Sequence, residues 1–323
     1  MPQPFRSRLR TRSLLVGVLV LAGLLLAAEW VARRHLGLGA PPLYVADPLI
    51  EYRLSPNQSI SRFGNRFEVN DYSMRAAPLS PTRPSSARRV LVFGDSVVWG
   101  GSLLDQSLIA TELLRKSGIS EVGNVAAPSW GPGNWLGYAR RFGFLQGTDV
   151  VLVISSHDSY DNPSPEPFRG DRNHPLVAPA SALFEGFERY LLPRLALGRP
   201  VAPTHADNPM ALAEPTTAAD PRVQQALANL RQFLALARSS GARVMVVQFA
   251  DRQEVSNGQF QPGNGWIHQL LQQQRIPSLQ AGPLFHSCGP ISSLYTDGIH
   301  PYTPAGQACL AKIIKRALLL PAG

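Results

Sequence analysis

A short apolar run that ends in glycine constrains the fold of this chain more than any other feature. The run from Val90 to Phe93 is continuously apolar, and Gly94 follows it. Such a run is typical of a strand buried on both faces, as in a parallel sheet. Asp95 and Ser96 then lie on a tight turn at the carboxyl edge of the predicted sheet, where open α/β folds bind their ligands. Ser96 is therefore a candidate nucleophile, although Gly-Asp-Ser is also an ordinary turn sequence.

Strands and helices alternate along the chain after this point. The further predicted strands are Glu121 to Val125, Asp149 to Ser155, Arg243 to Phe249 and Ile276 to Leu279. The predicted helices are Ser107 to Lys116, Asn134 to Phe144, Arg222 to Ser239 and a last one that starts after Thr303. This alternation predicts an α/β fold, with a central parallel sheet covered by helices on both faces.

The N-terminus carries a long apolar segment. The 19 residues from Leu14 to Ala32 are apolar or small apart from Glu29 and Trp30, and four arginines precede them. A segment of this length spans about 30 Å of hydrocarbon. The arginines place its start in the cytoplasm and the rest of the chain on the far side of the membrane. The alternative is a secretory signal peptide cleaved after Ala28; the length of the segment favours an uncleaved anchor at the bacterial inner membrane.

Composition divides the chain into three predicted parts. Residues 1–35 form the anchor, residues 36–87 form a spacer and an extended β arm with a turn at Gly64-Asn65, and residues 88–323 form the α/β domain. Within that domain, the proline-rich stretch 163–221 is too long for a plain connection. It is either a lid over the site or a partly disordered excursion, and it contains one helix-like piece from Ala180 to Leu192.

The charge of the chain excludes a nucleic-acid partner. The net charge is +9, and the six arginines and one glutamate of the first 35 residues account for +5 of it. No basic run remains in the body of the chain, whereas nucleic-acid binding needs a concentrated basic surface.

A second polar cluster precedes the last predicted helix. Asp297 and His300 lie three residues apart on a loop, in the sequence Asp-Gly-Ile-His-Pro. His300 can take a proton from a serine hydroxyl while Asp297 orients the ring and stabilises its charged form. Each cluster alone is a common turn sequence. Together, one after the first buried strand and one before the last helix, they predict a Ser96-His300-Asp297 triad.

The chain has two cysteines, Cys288 and Cys309, which bracket this second cluster. In an exported domain they can form a disulfide that ties the loop to the last helix. Two unpaired buried cysteines remain the alternative, because the sequence gives no distance between them. No spacing of cysteine and histidine is typical of zinc, so no metal and no cofactor are expected.

The pair of motifs, Phe-Gly-Asp-Ser and Asp-Gly-Ile-His-Pro, resembles those of the GDSL/SGNH hydrolase superfamily over about residues 90–319. The resemblance implies a flavodoxin-like α/β/α sandwich and cleavage of acyl esters. It implies Ser96 as nucleophile, His300 as general base and Asp297 as its partner. The motif differs from the α/β-hydrolase elbow because the second glycine is missing.

The middle motifs of the superfamily are altered. Counting from Asn124, Ser129 stands where the family has a glycine whose main-chain N–H serves the oxyanion hole, and Gly131 is the alternative donor. His157 stands where the family has an asparagine, and a neutral imidazole can still donate one hydrogen bond. The alternative for His157 is a solvated histidine at a strand end, with the oxyanion hole impaired.

The arm also resembles that of some membrane-anchored bacterial members. The stretch Asn70-Asp71-Tyr72-Ser73-Met74-Arg75 is similar to an Asn-x-x-Gly-x-Arg motif found there, with Ser73 in place of the glycine. Such proteins are associated with exopolysaccharide or cell-envelope modification. Four aromatic residues lie near the predicted site: Trp99, Trp130, Trp135 and Tyr138. Their side chains suit either stacking on sugar rings or packing in the core.

The sequence therefore predicts an anchored, extracytoplasmic serine esterase that removes O-acyl groups, most simply O-acetyl groups, from a glycan or another envelope ester. An O-acyltransferase with the same triad is the first alternative, because only the acceptor of the acyl group differs. A non-catalytic glycan-binding or scaffold protein is the second, and the altered middle motifs are its support. The oligomeric state is not predicted.

Overall fold

The computed structural model describes residues 5–195 and 214–321, so the predicted insertion 163–221 lies partly outside the described residues. The chain begins with a long helix and a small β arm. The helix is α1 (Phe5–Leu36), and the arm consists of β1 (Tyr44–Asp47), β2 (Glu51–Leu54), β3 (Gln58–Arg62) and β4 (Asn65–Val69). These strands form two antiparallel hairpins, β1 with β2 and β3 with β4.

The sheet of the main domain has five parallel strands. They are β5 (Arg89–Gly94), β6 (Glu121–Ala126), β7 (Asp149–Ile154), β8 (Arg243–Gln248) and β9 (Ser278–Gln280). Their order across the sheet is β6-β5-β7-β8-β9, which is the 2-1-3-4-5 order of flavodoxin-like folds. Every residue of β5 and β7 is buried, as continuous apolar runs in a parallel sheet require.

The helices of the chain after the arm are short or medium in length, and several of them cover the two faces of this sheet. In chain order they are α2 (Ser96–Trp99), α3 (Ala110–Lys116), α4 (Pro132–Phe142), α5 (Ala182–Gly186), α6 (Leu192–Leu195), α7 (Pro221–Ser239), α8 (Arg252–Asn257), α9 (Pro262–Gln273), α10 (Gly282–His286), α11 (Ile291–Leu294) and α12 (Pro304–Ala317). A π-helical turn, Phe187–Leu191, joins α5 to α6. In one layer α3 packs on α12, and in the other α4 packs on α7. The predicted three-layer α/β/α fold is confirmed.

Most predicted elements of the domain are present, with boundaries shifted by a few residues. The apolar face of α7 is buried as predicted, and Thr303 caps α12 by accepting a hydrogen bond from the amide of Gly306 at 2.9 Å. The helix predicted from Ser107 is shorter. It starts as a 3₁₀ turn, Gln106–Leu108, before α3. The arm's turn lies at Phe63-Gly64, one residue before the predicted position, and both residues have positive φ, as a tight hairpin turn requires.

The arm belongs to the same hydrophobic core as the sheet. Tyr44, Ile50, Tyr52 and Phe67 of the arm are all buried among the residues of the main domain. The close approach depends on Gly137 of α4, where a Cβ would lie 1.9 Å from the carbonyl oxygen of Leu49. The arm is therefore packed too closely on the domain to act as a loose spacer.

The arm also supports the two loops that follow β5 and β6. Arg75 is fully buried, and its guanidinium donates hydrogen bonds to the carbonyl oxygens of Trp99, Gly101 and Leu104 at 2.6–2.8 Å. Burial lowers the pKa of Arg75 to about 9. The hydroxyl of Tyr52 donates to the carbonyl of Pro128 at 2.6 Å. These contacts from the arm thus hold the main chain of both loops at the carboxyl edge of the sheet.

Candidate active site

Ser96 lies at the start of α2, directly after the buried strand β5. Gly94 ends that strand where a Cβ would lie 2.4 Å from the side chain of Val98, so a larger residue does not fit. Asp95 caps α2, because its carboxylate accepts a hydrogen bond from the amide of Val97 at 2.9 Å. These contacts hold the Ser96 hydroxyl at the carboxyl edge of the sheet.

The structure brings the three predicted triad residues together. Nε2 of His300 lies 2.9 Å from Oγ of Ser96, although 204 positions separate them in the chain. Nδ1 of His300 lies 2.7 Å from Oδ2 of Asp297. In this arrangement Nδ1 carries the proton that Asp297 accepts, and the lone pair of Nε2 faces the serine hydroxyl whose proton it takes.

The loop around Asp297 is rigid and favours the ionised carboxylate. Oδ1 of Asp297 accepts hydrogen bonds from the amides of Ile299 and His300 at 2.9 Å and 2.8 Å. Partial burial opposes ionisation of Asp297, but the His300 ring and these two amides outweigh it and lower its pKa to about 2. Asp297 is therefore charged throughout the neutral range, as an orienting partner of the base must be.

Tyr302 completes this cluster, and sequence reasoning did not single it out. Its ring stacks on His300 with centroids 4.6 Å apart, and its hydroxyl donates to the carbonyl oxygen of Ser96 at 2.9 Å. It thereby fixes both the base and the main chain of the nucleophile. The sequence did offer one signal, which is the position of Tyr302 two residues after His300. An aromatic ring at that spacing on the same loop can stack on the histidine.

The loop after β6 settles which of two predicted oxyanion donors has a free main-chain N–H. The amide of Gly131 donates to Oδ1 of Asn134 at 2.8 Å, which favours Ser129 over Gly131 as the main-chain donor. Among the described contacts, no acceptor takes the amide of Ser129. Ser129 has a φ of +58°, the left-handed conformation that glycine favours, so the serine keeps the backbone shape of the glycine expected there.

His157 lies beside the nucleophile's neighbour, Asp95. Its Nε2 is 3.2 Å from a carboxylate oxygen of Asp95, and its Nδ1 is 3.0 Å from Oγ of Ser155. The Ser155 hydroxyl gives its one proton to Asp158 at 2.9 Å, so it accepts from Nδ1–H of His157. Both ring nitrogens face oxygen atoms that can accept a proton, so the arrangement favours the protonated ring over the neutral imidazole that was expected.

The surrounding carboxylates account for this charge. Burial alone would lower the pKa of His157, but Asp158, Asp95 and Asp161 outweigh it and raise the pKa to about 10. Burial, together with the charge of Asp95, raises the pKa of Asp161 to about 7. The donors of Asp95, His157 and Asp158 lie within 4.8 Å of one another, close enough for a metal ion.

A groove opens beside the triad. It has a volume of about 500 Å³ and is lined by His300 and Asp297 together with polar side chains of α8, among them Arg252, Gln253 and Asn257. The four aromatic residues that were candidates for sugar stacking do not reach it as a platform, since Trp99, Trp130, Trp135 and Tyr138 are all buried. The alternative of core packing is therefore the correct one for them.

The two cysteines form a disulfide. Cys288 and Cys309 are bonded, with their Cα atoms 5.8 Å apart. Cys309 lies on α12 and Cys288 follows α10, so the bridge closes the chain around the loop of Asp297 and His300. The pairing that the sequence left open is thus present, and it braces one half of the triad.

No protein-family model and no curated protein matches this sequence. The chain is similar to solved structures that include an acylhydrolase from Bacteroides fragilis NCTC 9343, with 13% identity, 74% of this chain and 89% of that chain covered and a TM-score of 0.42. They also include a GDSL-like lipase from Bacteroides thetaiotaomicron VPI-5482, with 12% identity, 74% and 91% covered and a TM-score of 0.41. A lipolytic protein of the G-D-S-L family from Veillonella parvula DSM 2008 aligns at 11% identity, 72% and 100% coverage and a TM-score of 0.42.

The similarity to these structures concerns the fold, and the chemistry of the site follows from its own geometry. The order of the five strands and the two helical layers are observed directly in this chain. They form the flavodoxin-like sandwich that the two short motifs predicted, and in fold the chain is similar to the GDSL/SGNH hydrolases.

Proposed function

We propose that this protein is a serine ester hydrolase of the SGNH type. The observation that carries the proposal is the continuous chain of contacts from Ser96 Oγ through the His300 ring to Asp297, at 2.9 Å and 2.7 Å. Such a chain lets a hydroxyl of ordinary pKa act as a nucleophile at neutral pH.

The reaction has two halves. Nε2 of His300 takes the Ser96 proton while Oγ attacks the ester carbonyl carbon, and the carbonyl oxygen becomes an oxyanion. Collapse of this intermediate breaks the ester bond, and His300 gives its proton to the departing alkoxide. Water then attacks the acyl-serine, His300 takes the water's proton, and the acid leaves as Ser96 regains its own.

The oxyanion is stabilised by the amides of Ser96 and Ser129 and by the positive charge of His157. The amide of Ser96 is at the first position of a helix, where no intrahelical partner exists. The cation at His157 replaces the uncharged amide that the family resemblance implies at this position. A hydrogen-bond donor such as the main-chain amide of Ser129 contributes about 3–4 kcal/mol to transition-state stabilisation.

A glycan ester is the substrate class that the groove favours. Its polar side chains, with Arg252 and Asn257 exposed beside His300, suit the hydroxyl groups of a sugar. The same groove suits a sugar alcohol as acyl acceptor, which keeps an O-acyltransferase as the second candidate function. Hydrolysis is preferred because the groove that His300 lines is open to solvent.

The setting of the enzyme is proposed to be the outer face of a bacterial inner membrane. Within the described residues α1 is the one helix long and apolar enough to span a membrane, from Ser13 to Leu36. The arginines that precede the span favour a cytoplasmic N-terminus. The disulfide supports an oxidising compartment for the rest of the chain.

The test is covalent labelling followed by product analysis. A fluorophosphonate probe is expected to label the wild-type protein, and Ser96→Ala is expected to abolish labelling while leaving the fold intact by circular dichroism. Acetylated oligosaccharide is then expected to release free acetate. Acetyl transfer to added sugar in place of release would favour the acyltransferase, and absence of labelling in the folded wild type would favour a non-catalytic role.

A further inference from the structure

The helical segment 182–195, which comprises α5, the π-helical turn and α6, presents its apolar side chains outward. Five large apolar residues of this segment are between 45% and 63% exposed: Phe184, Phe187, Leu191, Leu192 and Leu195. Four of them, at positions 184, 187, 191 and 195, follow a helical repeat and share one face. A helix on a water-exposed surface ordinarily buries such a face.

The opposite face of the same segment is polar and is held against the protein. Glu185 is only 3% exposed, and its carboxylate pairs with the buried guanidinium of Arg62 at 3.0 Å and with Arg189 at 3.4 Å. The Arg62 guanidinium also donates to the hydroxyl of Tyr190 at 2.9 Å. Charged residues therefore fix the inner face while apolar residues remain outside, which is the reverse of a soluble amphipathic helix.

The segment starts on the membrane-spanning helix. The carboxylate of Glu29 in α1 accepts hydrogen bonds from the amides of Ala182 and Leu183 at 2.7 Å and 3.0 Å, and from the hydroxyl of Ser181 at 3.0 Å. Arg33 donates to the carbonyl oxygen of Ala180 at 2.7 Å. The one acidic residue of the apolar span thus caps α5, and the two apolar surfaces meet.

This junction lies at the end of the span that faces the catalytic domain. Trp30, which is 61% exposed on α1, is at the level where aromatic side chains favour the membrane interface. Arg34, exposed on α1 five residues after Glu29, is a basic side chain that suits the level of lipid headgroups. The continuity of 182–195 with the lipid-facing surface of α1 identifies lipid, and not a second protein, as the occupant of the apolar face.

We propose that residues 182–195 lie in the membrane interface beside α1, with the side chains of Phe184, Phe187, Leu191 and Leu195 in the outer acyl region of the lipid. The catalytic domain then has two membrane contacts and a fixed height and tilt above the bilayer. The proposal rests on α1 being retained as an anchor, and it is independent of the ester chemistry.

The test measures the depth of single residues in the full-length protein, reconstituted in vesicles of zwitterionic and anionic phospholipid. Phe184→Cys and Leu191→Cys are labelled with an environment-sensitive fluorophore, while the native cysteines stay bonded and unreactive. The matched control is Ser239→Cys at the end of α7, at the opposite edge of the sheet from the insertion. Near-ultraviolet circular dichroism checks that each variant is folded.

Labels at 184 and 191 are expected to show blue-shifted emission, loss of intensity with spin-labelled lipids and protection from aqueous iodide. The label at 239 is expected to show the reverse. If 184 and 191 are quenched by iodide as strongly as 239 while the protein remains with the vesicles, the interfacial placement is overturned and the anchor stands. If the full-length protein does not remain with the vesicles, the anchor itself is wrong, and the proposal falls with it.

Discussion

Two serines occupy backbone positions that favour glycine. Ser129 and Ser73 have φ values of +58° and +60°, and both stand where the family resemblance implies glycine. For Ser73 a hydrogen bond offsets part of the cost, because its hydroxyl accepts from Arg53 at 2.6 Å. Ser129 is exposed and its left-handed backbone is unsupported by such a bond among the described contacts.

Ser129→Gly is therefore expected to stabilise the protein. Relief of the left-handed conformation exceeds the greater backbone entropy of glycine in the unfolded chain, for a net gain of about 0.5–1 kcal/mol. Urea unfolding measures the change, with Ser129→Ala as the control that retains Cβ. The rate of ester hydrolysis should be unchanged, because the proposed oxyanion donor is the main-chain amide. A glycine variant less stable than the alanine variant would contradict the explanation.

At His157 the expected variable is charge. His157→Ala and His157→Asn are both expected to lower kcat, by up to roughly 100-fold with little change in KM, because both remove the positive charge that acts on the transition state. The pKa of His157 is raised to about 10, so the ring is protonated and active below that pH and loses its effect above it.

The pH dependence of kcat distinguishes a charged His157 ring from a neutral one. With the spontaneous rate subtracted, kcat of the wild type is expected to decline as the pH rises through about 10, and His157→Asn is expected to lack this decline. A wild-type profile that falls instead near the ordinary histidine pKa of about 6.5 would mean that the ring is neutral in the working enzyme.

At the scale of elements, the disulfide joins α12 to the segment after α10 and encloses the loop of Asp297 and His300. The double variant Cys288→Ala with Cys309→Ala is expected to lose about 3 kcal/mol of stability, as for other bridges that close loops of this length. Activity should fall more steeply with temperature than in the wild type. The measurement is urea unfolding of the variant beside reduced wild type, which separates the missing bridge from altered packing. Equal urea midpoints for the oxidised and the reduced wild type would show that the disulfide does not stabilise the protein.

The anchor and the arm belong to the scale of the whole molecule. The anchor prediction rests on the length of the apolar span, so the mature protein is expected to keep the whole of α1. The mass of the protein isolated from membranes should include residues 1–28, and the protein should resist extraction by alkaline carbonate. A measured mass that matches a chain starting at Glu29 would instead indicate a signal peptide cleaved after Ala28.

The sequence predicted the sheet and the triad because each depends on a local pattern. The continuous apolar runs of β5 and β7 and the two motifs around Ser96 and His300 need no knowledge of distant contacts. Helices α8 and α9 were missed because they are short or rich in glutamine, so their apolar periodicity is weak. Tyr44 and Ile50 of the arm were assigned to a spacer or its edge, yet the main domain buries both.

The oxyanion side of the site was less predictable, because its hydrogen bonds depend on which side chains the fold brings next to one another. The amide of Gly131 is taken by Asn134, and Asp95, Ser155 and Asp158 surround the His157 ring. Both facts depend on side-chain directions that the fold sets. The domain limits at residues 35 and 87 stay a prediction.

The cross-link between Cys288 and Cys309 has a consequence for when the enzyme acts. Thiols stay reduced in the cytosol, so a newly made chain carries its general base on an unbraced loop until export. Under the proposed function and location, the catalytic loop would therefore be braced only after export, in the compartment proposed for its substrate.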